Sequence, residues 1–449
     1  MATLSHQPKT SSEDTPRASD SEQPNSEPGA ANTEKSTAPE LTTTAGPGPP
    51  PDGGLQAWLA VLGGFCTVFA SFGWINCIGV FQDYYQNNQL TTYSPSAVAW
   101  IPSTESFMMF FWGPVAGLLA DNYGPRVPIL MGSFLHIFGL MMTSLSSEYY
   151  QFFLAQSVVS AIGCSLLFFP TLTAVGSYFV RHRALAFGIV VSGSSIGGVI
   201  LPIMVTHLIP SIGFGWAMRS TAFLLLGLLV IANIILKSRL PPPKRAFQPK
   251  EFVKPFTELP FRLLALCAFF TYLGGFLPIT FLIVQAREVG MSEELSSYLI
   301  PLFNGASTFG RIIPAQLGDV YGVFNVMIVN TLLAAIITLA LWLPANANAP
   351  LIVYAILYGF TSGCTFSIMP AMVASFSNVQ KIGVRSGTMY MMGSVGALIG
   401  SPIAGAIVDR QNGSYTGLVV FSGVGLFVGA AFAVASRQAL VGKKVYAKI

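Results

Sequence analysis

The sequence predicts an all-α polytopic membrane protein, with twelve transmembrane helices in two six-helix, pseudo-symmetric halves. Three observations carry this prediction. Only 9% of residues are charged against 52% hydrophobic, and the mean hydropathy is +0.60, whereas soluble domains carry about 25% charged residues. Apolar runs long enough to cross a bilayer core as helix, about 20 residues, recur along the chain. Features of the first six runs also return in the last six, about 200 residues later.

The runs cover residues 57–81, 97–119, 127–147, 150–176, 184–208, 216–236, 262–285, 295–316, 322–343, 350–374, 385–408 and 415–436. They are expected as helices because a helix satisfies its own backbone hydrogen bonds, which lipid cannot do. The repeat has three pairs of landmarks. Gly163-Cys164 and Pro170 return as Gly363-Cys364 and Pro370. Asp121, Tyr123 and Gly124 return as Asp319, Tyr321 and Gly322. Gly193-Ser194 and Pro202 return as Gly393-Ser394 and Pro402. Two parallel six-helix halves are one way in which transporters are built.

Five segments follow. Residues 1–51 are rich in Ser, Thr, Pro, Glu and Gly, bury too little surface to offset ordering entropy, and are expected as a disordered cytoplasmic tail. Residues 52–236 form the N-terminal bundle and 262–436 the C-terminal one. Between them, 237–261 is a basic, proline-rich cytoplasmic linker, and 437–449 is a cytoplasmic tail. Nineteen of the 23 Lys and Arg residues fall on the tails, the linker and the loops of one face; Arg219, Arg287 and Arg410 fall on the other. That bias places both termini inside, and the plasma membrane is the expected location.

Composition also excludes classes of function. Cys66, Cys77, Cys164, Cys267 and Cys364 sit singly in apolar runs, as packing residues rather than disulfides or metal ligands. No cluster of His, Asp and Glu and no nucleophile set marks an enzyme, and no metal or cofactor is expected. Without a phosphate-loop motif, ATP drive is not expected; without zinc-finger spacing, neither is nucleic acid. The expected partners are a small organic molecule, with or without protons, and the lipid bilayer, with the chain working as a monomer.

Gly117-Leu118-Leu119-Ala120-Asp121-Asn122-Tyr123-Gly124-Pro125-Arg126 resembles the loop 2–3 motif of the major facilitator superfamily. Asp52-Gly53-Gly54-Leu55-Gln56-Ala57-Trp58 resembles the entry signature of its monocarboxylate transporter family. Tyr178-Phe179 through Arg181, Arg183, Leu185-Ala186 and Gly188 resembles that family's second signature, and the overall flavour is that of the fungal branch. The resemblance implies the fold of that superfamily and secondary active transport by alternating access. Proton-coupled lactate carriers of the family use a lysine in span 1, and an aspartate and an arginine one turn apart in span 8. The corresponding positions here hold Asn76, Ser307 and Arg311. Two of the three coupling elements are therefore missing, which puts proton–lactate symport by that mechanism in doubt.

Arg311 is the sharpest substrate-binding candidate, because a charge inside a span is costly unless it faces a cavity or a partner, and a guanidinium matches a carboxylate. Asn304 and Ser307 share its stripe at helical spacing, and Asn76 completes the set; all three serve equally as polar contacts between helices. Glu105, in span 2, is the candidate proton-coupling group, or the resting partner of Arg311, or a residue near the outer end reaching water. His136 and His207 rank below it. Asp121, Arg126, Arg181, Arg183 and Asp319 lie at cytoplasmic span ends and are expected to lock the halves as conformational gating residues. Gly193, Gly197, Gly393, Gly396 and Gly400 are expected to let helices pack closely. The functional expectation is transport of a carboxylate-bearing metabolite, leaning to efflux of a secondary metabolite. Uptake of a monocarboxylate or vitamin-like nutrient is the alternative, and a non-transporting nutrient sensor on the same scaffold a second.

Overall fold

The computed structural model describes residues 50–239, 250–442 and 447. Helical rods run through it in chain order: α1 (Leu55–Gln89), α2 (Pro95–Phe111 continued by Gly113–Tyr123), α3 (Arg126–Thr143), α4 (Tyr149–Gly176), α5 (Arg183–Ile212) and α6 (Phe214–Ile235). The second set is α7 (Leu259–Glu288), α8 (Leu299–Tyr321), α9 (Val323–Trp342), α10 (Asn348–Ser375), α11 (Ile382–Arg410) and α12 (Thr416–Val441). Each expected run lies mostly within one of these rods; residues 144–147, 236, 295–298, 322, 343 and 415 fall outside them. Among the described residues no strand occurs.

Ten rods are long and apolar enough to cross a membrane by length and composition. The two that fall short are α2 and α8. Helix α2 is divided at Trp112, where Pro114 enters the first turn of the second segment and offers no backbone N–H. Helix α8 carries the polar stripe of Asn304, Ser307 and Arg311. These two rods hold Glu105 and Arg311; α2 falls short through its division into two segments and α8 through its polar stripe.

The first α-helical segment of α1 ends at Ile75, because the Asn76 side chain bonds back to the Phe72 carbonyl at 2.9 Å and competes with the helical ladder. Helices pack in pseudo-symmetric pairs through glycine. Gly193 and Gly197 of α5 lie on α1, where an added Cβ would stand 2.5 Å from the Phe65 carbonyl oxygen and 2.8 Å from Gly73 Cα. Gly393, Gly396 and Gly400 of α11 lie on α7, against Tyr272, Phe269 and Leu273.

Large apolar side chains such as Leu130, Phe134 and Ile234 stay exposed on the outside of the bundle. This is the inverse of a soluble surface and fits a lipid environment. The linker leaves α6 and enters α7 at one end of the bundle, the linker end. There Arg385 grips Glu258 through bonds of 2.8 and 2.6 Å, and holds that carboxyl below the usual carboxylate range.

The expected tail, apart from Pro50 and Pro51, and residues 240–249 of the linker lie outside the described residues. Within the linker, Lys250–Val253 and Lys254–Thr257 form short helical turns. At the other end, residues 437–441, expected as tail, are instead the last turn of α12. The helix continues because Ser436 donates to the Pro260 carbonyl at 2.8 Å and Arg437 to that of Ala447 at 3.1 Å. It stops at Gly442, where φ is +69°.

Candidate functional site

Arg311 sits midway along α8, 3% exposed, where α8 faces α5 of the other half. Its Nη1 donates to the Val191 carbonyl at 2.7 Å and to Ser194 Oγ. Its guanidinium lies over the rings of Phe72 and Phe366, 5.7 and 5.5 Å from their centroids, within cation–π range. Among the described residues no carboxylate is paired with it, and its Nε is buried without a hydrogen-bond partner.

The rest of the stripe is left in the same condition. Asn304 Nδ2 donates to Ile300 and Gly198 carbonyls at 3.2 and 3.4 Å, but its Oδ1 is buried without a partner, as is Ser307 Oγ. A buried polar atom without a partner costs about 1–3 kcal/mol, and three of them lie along this one helix. Asn76 joins them across the halves: a Cβ added at Gly198 would stand 2.9 Å from Cγ of both Asn304 and Asn76. Gly198 is therefore the space in which α1, α5 and α8 meet. The four substrate-binding candidates line this region together, Asn76 being half-buried.

Glu105 lies elsewhere. It is 1% exposed, within the N-terminal half, and accepts from Trp74 Nε1 at 2.9 Å and Gln156 Nε2 at 2.8 Å. Gln156 in turn accepts from the Tyr85 hydroxyl at 2.6 Å. Neither reaching water nor partnering Arg311 describes it in this structure. His136 has both ring nitrogens engaged, with Ser160 Oγ at 2.9 Å and the Ala70 carbonyl at 3.0 Å. Since a carbonyl only accepts, Nε2 carries the proton there.

At the linker end the two repeated aspartates do the same thing in mirror fashion. Asp121, at the end of α2, accepts from the Gly383 and Val384 N–H groups at 3.1 and 2.8 Å, in the first turn of α11. Asp319, at the end of α8, accepts from Ala184 and Leu185 N–H at 2.9 and 2.8 Å, in the first turn of α5. Each carboxylate thus satisfies orphan donors and faces the positive end of a helix belonging to the other half. Arg183 adds a bond from Nη1 to the Ala374 carbonyl of α10 at 3.3 Å. Arg181 contributes its backbone: the N–H groups of Val180 and Arg181 donate to Asp52 Oδ1 at 2.6 and 2.7 Å. Arg126 is exposed and makes no hydrogen bond or ion pair among the described residues.

The model of the Major Facilitator Superfamily matches residues 62–264 and 264–444. The chain belongs to that superfamily. It is 49% identical over 399 residues to "MFS-type transporter opdF" of Penicillium oxalicum, covering 89% of this chain and 94% of that one. It is 42% identical over 397 residues to "Fujikurins efflux protein" of Gibberella fujikuroi, covering 88% and 85%. Among solved structures it superposes on the E. coli fucose:proton symporter FucP with a TM-score of 0.67 at 16% identity, covering 84% of this chain and 98% of that one. That last likeness is one of fold.

As a major facilitator, the protein has a feature at its centre that its sequence does not announce. Phe72, Phe110 and Phe168 of the first half interlock with Tyr272, Phe366 and Tyr390 of the second. Phe72 lies 5.0 Å from Phe366, and Phe110 stacks on Tyr390 at 5.5 Å. Phe168 meets Tyr390 edge-on at 5.7 Å. Beside them a crevice bounded by Tyr272, Phe276, Phe303, Tyr358 and Phe366 has a free volume of about 20 Å³, room for about one water. The rings therefore fill the space beside Arg311. No spacing marks these rings among the 34 phenylalanines and 15 tyrosines of the chain.

Proposed function

We propose that the protein exports an organic anion, a carboxylate-bearing metabolite, by alternating access. Arg311 binds the anion, while Asn76, Asn304 and Ser307 bind neutral oxygens and the aromatic box takes the apolar body. The observation that carries this reading is the buried guanidinium of Arg311, which has no carboxylate partner among the described residues and lies where α8 of one half faces α5 of the other. The fujikurins efflux relative supports export and a secondary metabolite as cargo. The linker end faces the cytoplasm of a plasma-membrane protein in this reading, supported by the basic residues gathered there. The entry signature Asp52–Trp58 and the second signature Tyr178–Gly188 favour the monocarboxylate porter branch.

The direct test compares metabolites in the medium of cells with and without the gene. Export predicts one or a few anionic compounds depleted from the medium and accumulated in cells lacking it. Depletion of an external nutrient only by cells holding the gene would mean uptake instead.

Glu105 is proposed as the proton-carrying group. Its pocket is closed and offers two neutral donors, so protonation is coupled to the packing of α1 and α2 around Trp74 and Gln156. Glu105→Gln in proteoliposomes is expected to abolish the response of flux to an imposed pH gradient, while leaving exchange of substrate across the membrane. A gradient response equal to that of the unsubstituted protein removes Glu105 from the coupling mechanism.

A further inference from the structure

The residue that the function leaves unused is Arg126, the basic end of the loop 2–3 motif. It stands at the mouth of an open groove of about 1140 Å³ on the outside of the N-terminal half, between α3 and α6. The walls are apolar and exposed: Leu130, Phe134 and Phe138 on α3, Val230 and Ile234 on α6. Phe134 and Phe138 stack at 5.9 Å and present a flat face. Deeper in, Asn233 Nδ2 donates to Ser133 Oγ at 2.9 Å and pins α6 to α3.

Lys237 closes the same mouth from the other side. Both cations are exposed, and neither has a hydrogen bond or ion pair among the described residues. Both stand on fixed backbone. Arg126 opens α3 after a turn set by Gly124 at φ +84°. Lys237 follows Leu236, which is 2% exposed, with its Cβ 2.9 Å from where a Cβ on Gly63 would be.

We propose that this groove is a binding site for an anionic phospholipid of the leaflet at the linker end. The phosphate lies between Arg126 and Lys237 and an acyl chain runs along the Phe134–Phe138 face. The dimensions agree. From Arg126 to Ile137 the helix rises about 16 Å, and one leaflet contributes about half of a ~30 Å hydrocarbon core. Charge complementarity selects the headgroup: two unpaired cations at the interface attract an anionic lipid over a zwitterionic one, by roughly fivefold each. A soluble anion would meet the same two cations but has no use for the apolar walls.

The test uses the full-length chain in nanodiscs containing equal amounts of palmitoyl-oleoyl phosphatidylglycerol and phosphatidylcholine, with native mass spectrometry of the lipid it retains. Phosphatidylglycerol is expected to be retained over phosphatidylcholine by roughly 20- to 30-fold. Arg126→Gln with Lys237→Gln should bring the ratio close to one. Val230→Trp, which fills the groove and leaves both cations, should lower retention of both lipids several-fold. Equal retention of the two lipids by the unsubstituted protein overturns the proposal without reference to any variant. So does a preference that survives the double substitution, retention indifferent to Val230→Trp, or a second copy of the chain found in the groove as a dimer.

Discussion

Arg311→Ala is expected to reduce substrate flux in proteoliposomes to background, with an apparent affinity weaker by roughly 30-fold or more. The magnitude follows from removing one partner of a buried, hydrogen-bonded charge pair, which costs about 2–5 kcal/mol. Arg311→Lys keeps the charge but loses the planar fork that matches a carboxylate, so partial flux with a raised KM is expected. The guanidinium also donates to Val191 and Ser194 across the two halves. Folding is therefore checked separately, by monodisperse elution and an unfolding transition near that of the unsubstituted protein. If a folded Arg311→Ala protein carries the anion at the ordinary rate, Arg311 is a structural residue and the substrate site lies elsewhere.

The paired substitution Asp121→Ala with Asp319→Ala is expected to shift the protein toward the conformation open at the linker end. Each carboxylate accepts from two N–H groups in the first turn of a helix in the opposite half. An N-terminal cap of this kind is worth about 0.5–2 kcal/mol, and a charge at the positive end of the helix adds to it. At about 1–2 kcal/mol each, and with little coupling between separate sites, the pair should move the conformational equilibrium by roughly 30-fold to several hundred-fold. Spin labels at His182→Cys and Ser375→Cys report it. Both positions are exposed and lie in different halves, and all five native cysteines are buried. A longer inter-label distance in the double variant is the expected result. An unchanged distribution would mean that the caps do not hold the gate.

The two aspartates show how far a sequence reading reaches. Their repetition, and their position at span ends, single them out as gating residues. Their grouping with Arg126, Arg181 and Arg183 at span ends suggests a network of charged side chains. Among the described residues the carboxylates accept from backbone N–H groups, which no side-chain pattern advertises, and Arg183 donates across the interface to the Ala374 carbonyl. Asp52 makes the same point. Its motif and the Tyr178–Gly188 motif were separate signatures in the chain, yet Asp52 holds the loop before α5 through two N–H groups, and Trp58 meets Phe179 edge-on at 5.5 Å. Two signatures more than a hundred residues apart form one clamp.

Glu105 and Arg311 were both legible as charges in apolar runs, since solvation alone makes such residues conspicuous. Whether they face each other was not legible. That depends on the rotation of α2 and α8 about their axes and on which helices stand between, and Glu105 turns toward Trp74 and Gln156 instead. The aromatic box was less visible still. Phe72, Phe110 and Phe366 look like any lipid-facing phenylalanine until the halves are assembled.

By itself the sequence determined that this chain is a bundle of membrane helices in two repeated halves, and that Glu105 and Arg311 are charges within their apolar runs. Those properties are sums over residues of the cost of leaving water, and they add up along a chain regardless of what touches what. Only the tertiary structure decided that Arg311 is caged by rings from both halves, that the aspartates cap foreign helices, and that Arg126 borders an apolar groove between α3 and α6. Each is a contact between positions far apart in the chain. Its energy exists only once helix rotation and the relation of the two halves are set, and no residue carries that information alone.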